Sequence, residues 1–245
     1  MAAAESFFVT RTMQALEVLA FQPSSASQIA SHLRVDARTA RRLLNRLTED
    51  GWVVRVEGRV RTYTLSLRLL ALAAVYADSL PLAHAAQPLV TGLHTETACT
   101  AHLEVPCYRS VLCLVHRAGG PDARPQLREL VSAHACAGGK VLLAYREPWR
   151  ESVLERPLDE LTDRTVVEPD EVRRQCAEIR ERGWATEDGE YRIGLQGVAA
   201  PVFDHTGEAV AALALTGGEE LRVLDRLDAV KAAAAELSGK RIPAA

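Results

Sequence analysis

The sequence predicts an α+β chain with an N-terminal winged helix-turn-helix, a linker helix, and a larger domain of antiparallel sheet with helices on its faces. Three observations carry this. The stretch Ser25 to Trp52 reads as two short helices joined by a tight turn, and an alternating hairpin pattern follows it directly. From Ser66 the chain turns helical and apolar on more than one side. Beyond that, strand-like and helix-like runs intermix without a βαβ repeat, which favours an antiparallel sheet.

Taken in order, residues 1 to 8 read as a frayed start. A first helix from about Thr12 to Phe21 is expected to bury Met13, Leu16, Leu19 and Ala20 and to end at Pro23-Ser24-Ser25. A second, roughly Ser27 to Leu33, buries Ile29, Ala30 and Leu33. The third opens at Asp36, a good N-cap, and stops before Gly51; its Ala37, Ala40, Leu43, Leu44 and Leu47 recur at a spacing of three and four, which lines one face for burial. Arg34 stands in the turn where glycine is common, and a left-handed residue with a side chain costs roughly 1 kcal/mol there. The runs WVVRV and VRTYTLS, on either side of Glu57-Gly58-Arg59, alternate as a two-stranded wing.

A basic helix face is ordinarily just solvated. Here it comes with a small Ala30 between the helices, a short turn and a wing, and the combination points to double-stranded operator DNA. Arg38, Thr39, Arg41, Arg42 and Asn45 on the third helix are the candidate contacts, with Arg55, Arg59 and Arg61 on the wing. Arg46 is assigned to solvent. Charge agrees: residues 1–65 hold nine arginines against six acidic residues, a local +3, and the whole chain is at −3, so the remainder is at −6. That split suits a basic nucleic-acid module joined to an acidic domain with another task.

The helix from Ser66 carries Leu67, Leu69, Leu70, Leu72, Val75 and Tyr76, and is expected to lie in a core or between subunits; it reads as a linker shared with a second protomer. Pro81 opens the next helix, to about Thr95, with a bend at Pro88. Strands are expected at Cys99 to Val105 and Ser110 to His116, joined by a turn around Pro106, and at Gln126 to Ser132, with Gly119-Gly120-Pro121-Asp122 in a loop. Residues 134 to 140 read as a glycine-containing loop opening a helix at Val141 to Tyr145, followed by helices over Trp149 to Glu155 and Pro169 to Arg182. Strands at Trp184 to Glu187, Gly197 to Phe203 and Ala209 to Thr216 precede a final helix from Leu221 to Leu237.

HACAGGKVLLAY (residues 134 to 145) and RGWATEDGEYRIGLQGVAAPVFDHTGEAVAALALTG (Arg182 to Gly217), following a winged helix, resemble the IclR family of bacterial transcriptional regulators over about residues 10 to 240. The resemblance implies a winged helix-turn-helix over 1–65, a linker over 66–79, and a GAF-like effector-binding domain over 80–245. It also implies a homodimer or dimer of dimers that regulates transcription, expected to repress, and no enzyme. The effector site by matching motifs comprises Ala137, Gly138, Gly139, Glu187, Leu195, Gly197, Ala214 and Thr216. Independently, amides of residues 137 to 139 at a helix start suit an anion, so a carboxylate or aromatic metabolite is the expected effector. Ala214 and Gly197 leave fewer polar partners and more room than in some members, which favours a larger or more apolar ligand.

Five scattered cysteines with no CxxC pair argue against a disulfide framework. Cys99 with His102, and Cys113 with His116, are spaced for a metal, but residues three apart on a strand point to opposite faces, so no metal or other cofactor is expected. Cys136, at a helix start near His134, supports an alternative reading as a thiol-based redox sensor with a lowered thiol pKa. No secretion signal and no run of about 18 apolar residues is seen, so the expected location is the cytoplasm, away from membranes.

Overall fold

The computed structural model describes residues 2–58, 60–118 and 130–240, with the side chains of residues 2–8 and of residue 78 left aside. Arg59, the loop at Gly119 to Asp122 and the first part of the strand expected from Gln126 lie outside the described residues. The chain divides into two compact units, Met1–Ser79 and Leu80–Ala245.

The first unit runs α1 (Ala2–Phe21), α2 (Ala26–Leu33), α3 (Ala37–Glu49), β1 (Val53–Val56), β2 (Thr62–Leu65) and α4 (Leu67–Asp78). The alanine-rich start continues α1 back to Ala2 where a frayed end was expected, consistent with the high helix propensity of alanine. Its buried stripe is also phased differently: Ala15 and Leu19, four apart, enter the core, while Met13 is 55% exposed and Ala20 is exposed. Ile29, Ala30 and Leu33 of α2 pack with Ala40, Leu43, Leu44 and Leu47 of α3, and Val53 and Tyr63 of the wing close the same core. Ala37, expected inside, is exposed in the first turn. Ser24 exchanges two backbone hydrogen bonds with Tyr63 (3.0 and 2.9 Å), which fastens the wing to the α1–α2 connection.

Ser66 caps α4 and ties its start to the wing's root: its amide donates to Trp52 O (2.9 Å) and its hydroxyl to Gly51 O (2.6 Å). Arg68 stacks 4.0 Å from the Trp52 ring centroid and donates to Asp50 O (2.6 Å). Leu67, Leu70, Leu72, Val75 and Tyr76 of α4 are all exposed.

The second unit begins with α5 (Pro81–Thr97), one helix with Pro88 inside it. It continues with β3 (Thr100–Cys107), β4 (Ser110–Arg117), β5 (Leu130–Ser132), α6 (Ala137–Tyr145), α7 (Glu147–Leu154), α8 (Pro169–Arg182), β6 (Ala185–Asp188), β7 (Gln196–Phe203), β8 (Ala209–Gly217) and α9 (Leu227–Ser238). The six strands form one antiparallel sheet in the order β5-β4-β3-β8-β7-β6. Pro106 is not a turn residue; it pairs with Val111 inside the β3–β4 ladder, and the reversal falls at Tyr108, with φ +56°. Proline is tolerated there because β3 pairs with β8 only up to Glu104, leaving its other edge free of ladder bonds.

Alternation along the strands divides the sheet into two cores. Ala101 and Leu103 of β3 and Ala211, Leu213 and Leu215 of β8 face α5 and α9. Ala212 and Ala214 of β8 and Ala199 of β7 face α6 and α8. The final helix starts at Leu227 and not Leu221, because Arg222 at φ +49° separates two short 3₁₀ turns, Glu219–Leu221 and Val223–Arg226, that precede it.

Candidate functional site

The first unit presents α3 as an exposed basic face. Asp36 fixes its start by accepting from the Thr39 amide (2.9 Å) and hydroxyl (2.7 Å), bonds that hold its carboxyl below the usual carboxylate range. Thr39 is therefore engaged in capping. Arg38, Arg41 and Arg42 lie beside Thr39, Asn45, Arg46 and Glu49 around one open surface depression. All three arginines are exposed, as are Arg55 and Arg61 on the wing. Arg46 is occupied within its own helix by Asp50 (3.1 Å) and Glu49 (3.8 Å). One coupling is invisible to local pattern: Arg55 of β1 donates to Asn45 Oδ1 of α3 (3.0 Å), so the wing braces the helix.

The second unit holds an internal cavity between the sheet and the start of α6. Six of the eight expected residues line it: Ala137, Gly138, Glu187, Leu195, Ala214 and Thr216. Gly139 does not. Its amide donates to Cys136 Sγ (3.3 Å), and a Cβ on it would collide with the Ala133 backbone. Gly197 is paired between Glu187 and Thr216, where a Cβ would stand 3.1 Å from Glu187 Cγ and 3.3 Å from Thr216 Cγ2, so its bareness lets those two side chains sit close. The glycine stretch is the first turn of α6 itself, not a loop before it: the helix begins at Ala137, four residues ahead of the expected Val141.

His102, Glu104, Val131, Cys136 and Tyr191 also line the cavity and were not anticipated. The signal for two of them is on β3: His102 and Glu104 are two apart, so they share one face, and the register opposite Ala214 and Ala212 of β8 places that face toward α6. His102 Nδ1 stands 3.2 Å from Glu104 Oε1, and its Nε2 lies 3.3 Å from Thr216 Oγ1. The Glu104 carboxyl reaches the N-terminus of α6, so close to Gly138 that a Cβ there would collide with it. The anion expected at these amides thus meets a carboxyl from the chain's own β3.

Glu187 is 1% exposed. Neither of its oxygens meets a donor in hydrogen-bonding geometry. Burial, then the nearby Glu190, push its pKa up to about 8, against the opposing pull of Lys140 and weaker help from the Tyr191 and Glu190 amides. Lys140 is committed to Glu190, at 2.5 Å.

The redox reading of Cys136 finds no support in its surroundings. Its thiol is buried beside Glu104 Oε2 (3.8 Å), and burial followed by that carboxyl raises its pKa well above the ordinary thiol range, where a reactive thiolate needs it lowered. The helix N-terminus, which prompted the expectation, contributes only the Gly139 amide. Among the described residues no group of three or more His, Cys, Asp or Glu side chains is arranged to hold a metal, and no single helix is long and apolar enough to cross a bilayer.

Residues 9–57 match the IclR helix-turn-helix domain, and residues 74–239 match the C-terminal domain of the bacterial transcriptional regulator IclR. The chain is 34% identical over 197 residues to the glycerol operon regulatory protein of Streptomyces coelicolor, covering 79% of this chain and 77% of that one. An IclR transcriptional regulator from Alicyclobacillus acidocaldarius superposes with a TM-score of 0.77 at 25% identity, covering 94% of this chain and 97% of that one. The fold is also shared with an IclR homolog complexed with 4-hydroxybenzoate from Microbacterium hydrocarbonoxydans, at TM-score 0.76, 24% identity, and coverage of 94% and 97%. With an exposed arginine face on a capped helix, a wing braced against it, and both family domains matched in order, the chain belongs to the IclR family of transcriptional regulators.

Proposed function

We propose that this regulator represses its target genes by binding paired operator half-sites as a dimer, and that a small molecule seated in the second unit's cavity alters that grip. The observation that carries the DNA reading is the exposed face of α3, where Arg38, Arg41 and Arg42 are free of ion pairs with the described residues. Arg41 and Arg42 with Asn45 are the proposed base and phosphate contacts, with Arg55, Arg59 and Arg61 tracking the backbone from the wing. The working division is 1–65 for DNA, 66–79 as linker and 80–245 as sensor. A relative named for a glycerol operon supports control of a catabolic operon by its metabolite. Such a protein works in the cytoplasm, where its DNA is.

For the dimer, the support is α4, whose exposed leucines, Val75 and Tyr76 form the apolar surface that a second copy would cover. For the effector, the support is a small cavity of about 20 Å³ walled by Val131, Ala137, Leu195 and Ala214, at the place where the family motifs put the ligand. Fluorescence anisotropy of the full chain against DNA flanking its own gene tests the proposal. Specific binding that falls steeply with salt is expected, and a flat salt dependence would sink the DNA reading.

A further inference from the structure

The turn that ends α3 is bonded on both sides. Its amides donate back to the helix: Asp50 N to Arg46 O (2.9 Å), Gly51 N to Thr48 O (3.1 Å) and Trp52 N to Leu47 O (2.9 Å). This is the pattern in which a left-handed residue, here Gly51 at φ +77°, closes a helix. The three carbonyls of the same turn accept from the first residues of α4. Arg68 Nη1 donates to Asp50 O (2.6 Å), the Ser66 hydroxyl to Gly51 O (2.6 Å) and the Ser66 amide to Trp52 O (2.9 Å).

The Ser66 hydroxyl in turn accepts from the Arg68 amide (3.3 Å), and the Arg68 guanidinium lies 4.0 Å from the centroid of the Trp52 ring. A cation at the C-terminal end of α3 is favoured by the helix dipole and by the ring face. The Asp50 carboxylate is taken by Arg46 (3.1 Å), so Arg68 is held by a carbonyl and a ring, in a fixed direction. Arg68 is exposed and lies outside the core of the first unit, so its bonds join one helix to another without holding the domain together.

We propose that Arg68 is a positioning residue for DNA recognition: with Ser66 it locks the linker helix α4 to the end of the recognition helix α3, so that the two turn as one body. This rests on the reading that two copies of α3 meet paired half-sites. A helix of the length of α3 spans about 20 Å, and Arg38, Arg41 and Arg42 lie in its first half. A swing of about 10° at its far end would carry them about 3 Å, close to one base-pair step. A stiff joint therefore fixes the half-site spacing that a dimer grips, and a loose joint relaxes it. Arg68 acts through α3 and not on the DNA.

The test measures binding of the full chain by fluorescence anisotropy to the operator in DNA flanking its own gene. The same duplex with one base pair inserted or removed between the half-sites, and a single half-site, are measured beside it. One base pair turns the second half-site by about 34° and moves it about 3.4 Å. Wild-type protein should prefer the native spacing by about tenfold or more, and Arg68→Ala should narrow this to within about threefold while single half-site affinity stays within about twofold. Arg68→Lys, which keeps a donor for Asp50 O and a cation over Trp52, should recover part of the preference. An equal loss on every duplex would make Arg68 a phosphate contact and overturn the proposal, as would an Arg68→Ala protein that keeps the full wild-type preference. Failure of the underlying reading shows in the wild type itself: a protein that binds one half-site as tightly as two ends the paired half-site reading, and the proposal with it.

Discussion

Glu187 makes stability depend on pH in a defined direction. Its pKa is raised in the folded protein, to about 8 from an ordinary 4.5, so between these values the folded state binds more protons than the unfolded one. The contribution of Glu187 is therefore full below about pH 4.5 and is lost as pH rises toward 8, by up to about 1.4 kcal/mol per unit and on the order of a few kcal/mol in all. Urea unfolding across that range should show the decline, and Glu187→Gln should flatten it; an unchanged slope would place the titration elsewhere. At the recognition face, Arg42→Ala should weaken specific operator binding by about 1–3 kcal/mol and random DNA by less, with equal losses marking Arg42 as a phosphate contact. Two neighbouring glycines separate in the same way: Gly139→Ala drives a methyl into the Ala133 backbone, whereas Gly138→Ala collides with the end of the Glu104 side chain and touches Ala212 Cβ at 3.4 Å. Gly139→Ala should cost more, beyond about 1–3 kcal/mol, in denaturant midpoints.

At the scale of elements, the α2–α3 connection carries a cost its sequence announces. Arg34 sits at φ +53° and ψ +48°, left-handed as expected for that position, and its amide donates to Ser31 O (3.2 Å). Arg34→Gly should stabilise the first unit by up to about 1 kcal/mol, read as a rise in Tm, because the strain of a Cβ in that conformation disappears. A loss of stability would mean that the arginine side chain contributes more than the backbone strain costs. The capped starts of α2, α3 and α4 were legible from Ser25, Asp36 and Ser66, because each cap bond is to an amide within three residues. The start of α6 was not, because Gly138 is dictated by Glu104, thirty-four residues earlier, and Gly139 by a fold-back onto the Ala133 backbone that periodicity does not reveal.

For the whole molecule, the five exposed apolar side chains of α4 set the expectation that the active species is a dimer. Leu70→Glu with Val75→Glu should shift the chain toward monomer in sedimentation velocity and weaken operator binding by losing the second half-site, leaving each winged helix folded. A dimer that survives both charges would place the interface elsewhere.

The fold class, the winged helix with its arginine face and the antiparallel sheet could be read from the chain, because periodicity and caps are properties of near neighbours, and the family resemblance pointed to six of the residues that line the cavity. The phase of α1, Pro106 inside a strand, the delayed start of α9 and the burial of Cys136 depended on which surfaces meet. So did the chemistry of the cavity. Pairing β3 with β8 brings Glu104 to the start of α6 and the fold encloses Glu187 beside Glu190. Desolvation and the company of other carboxyls are set by distance through space, which no stretch of sequence displays.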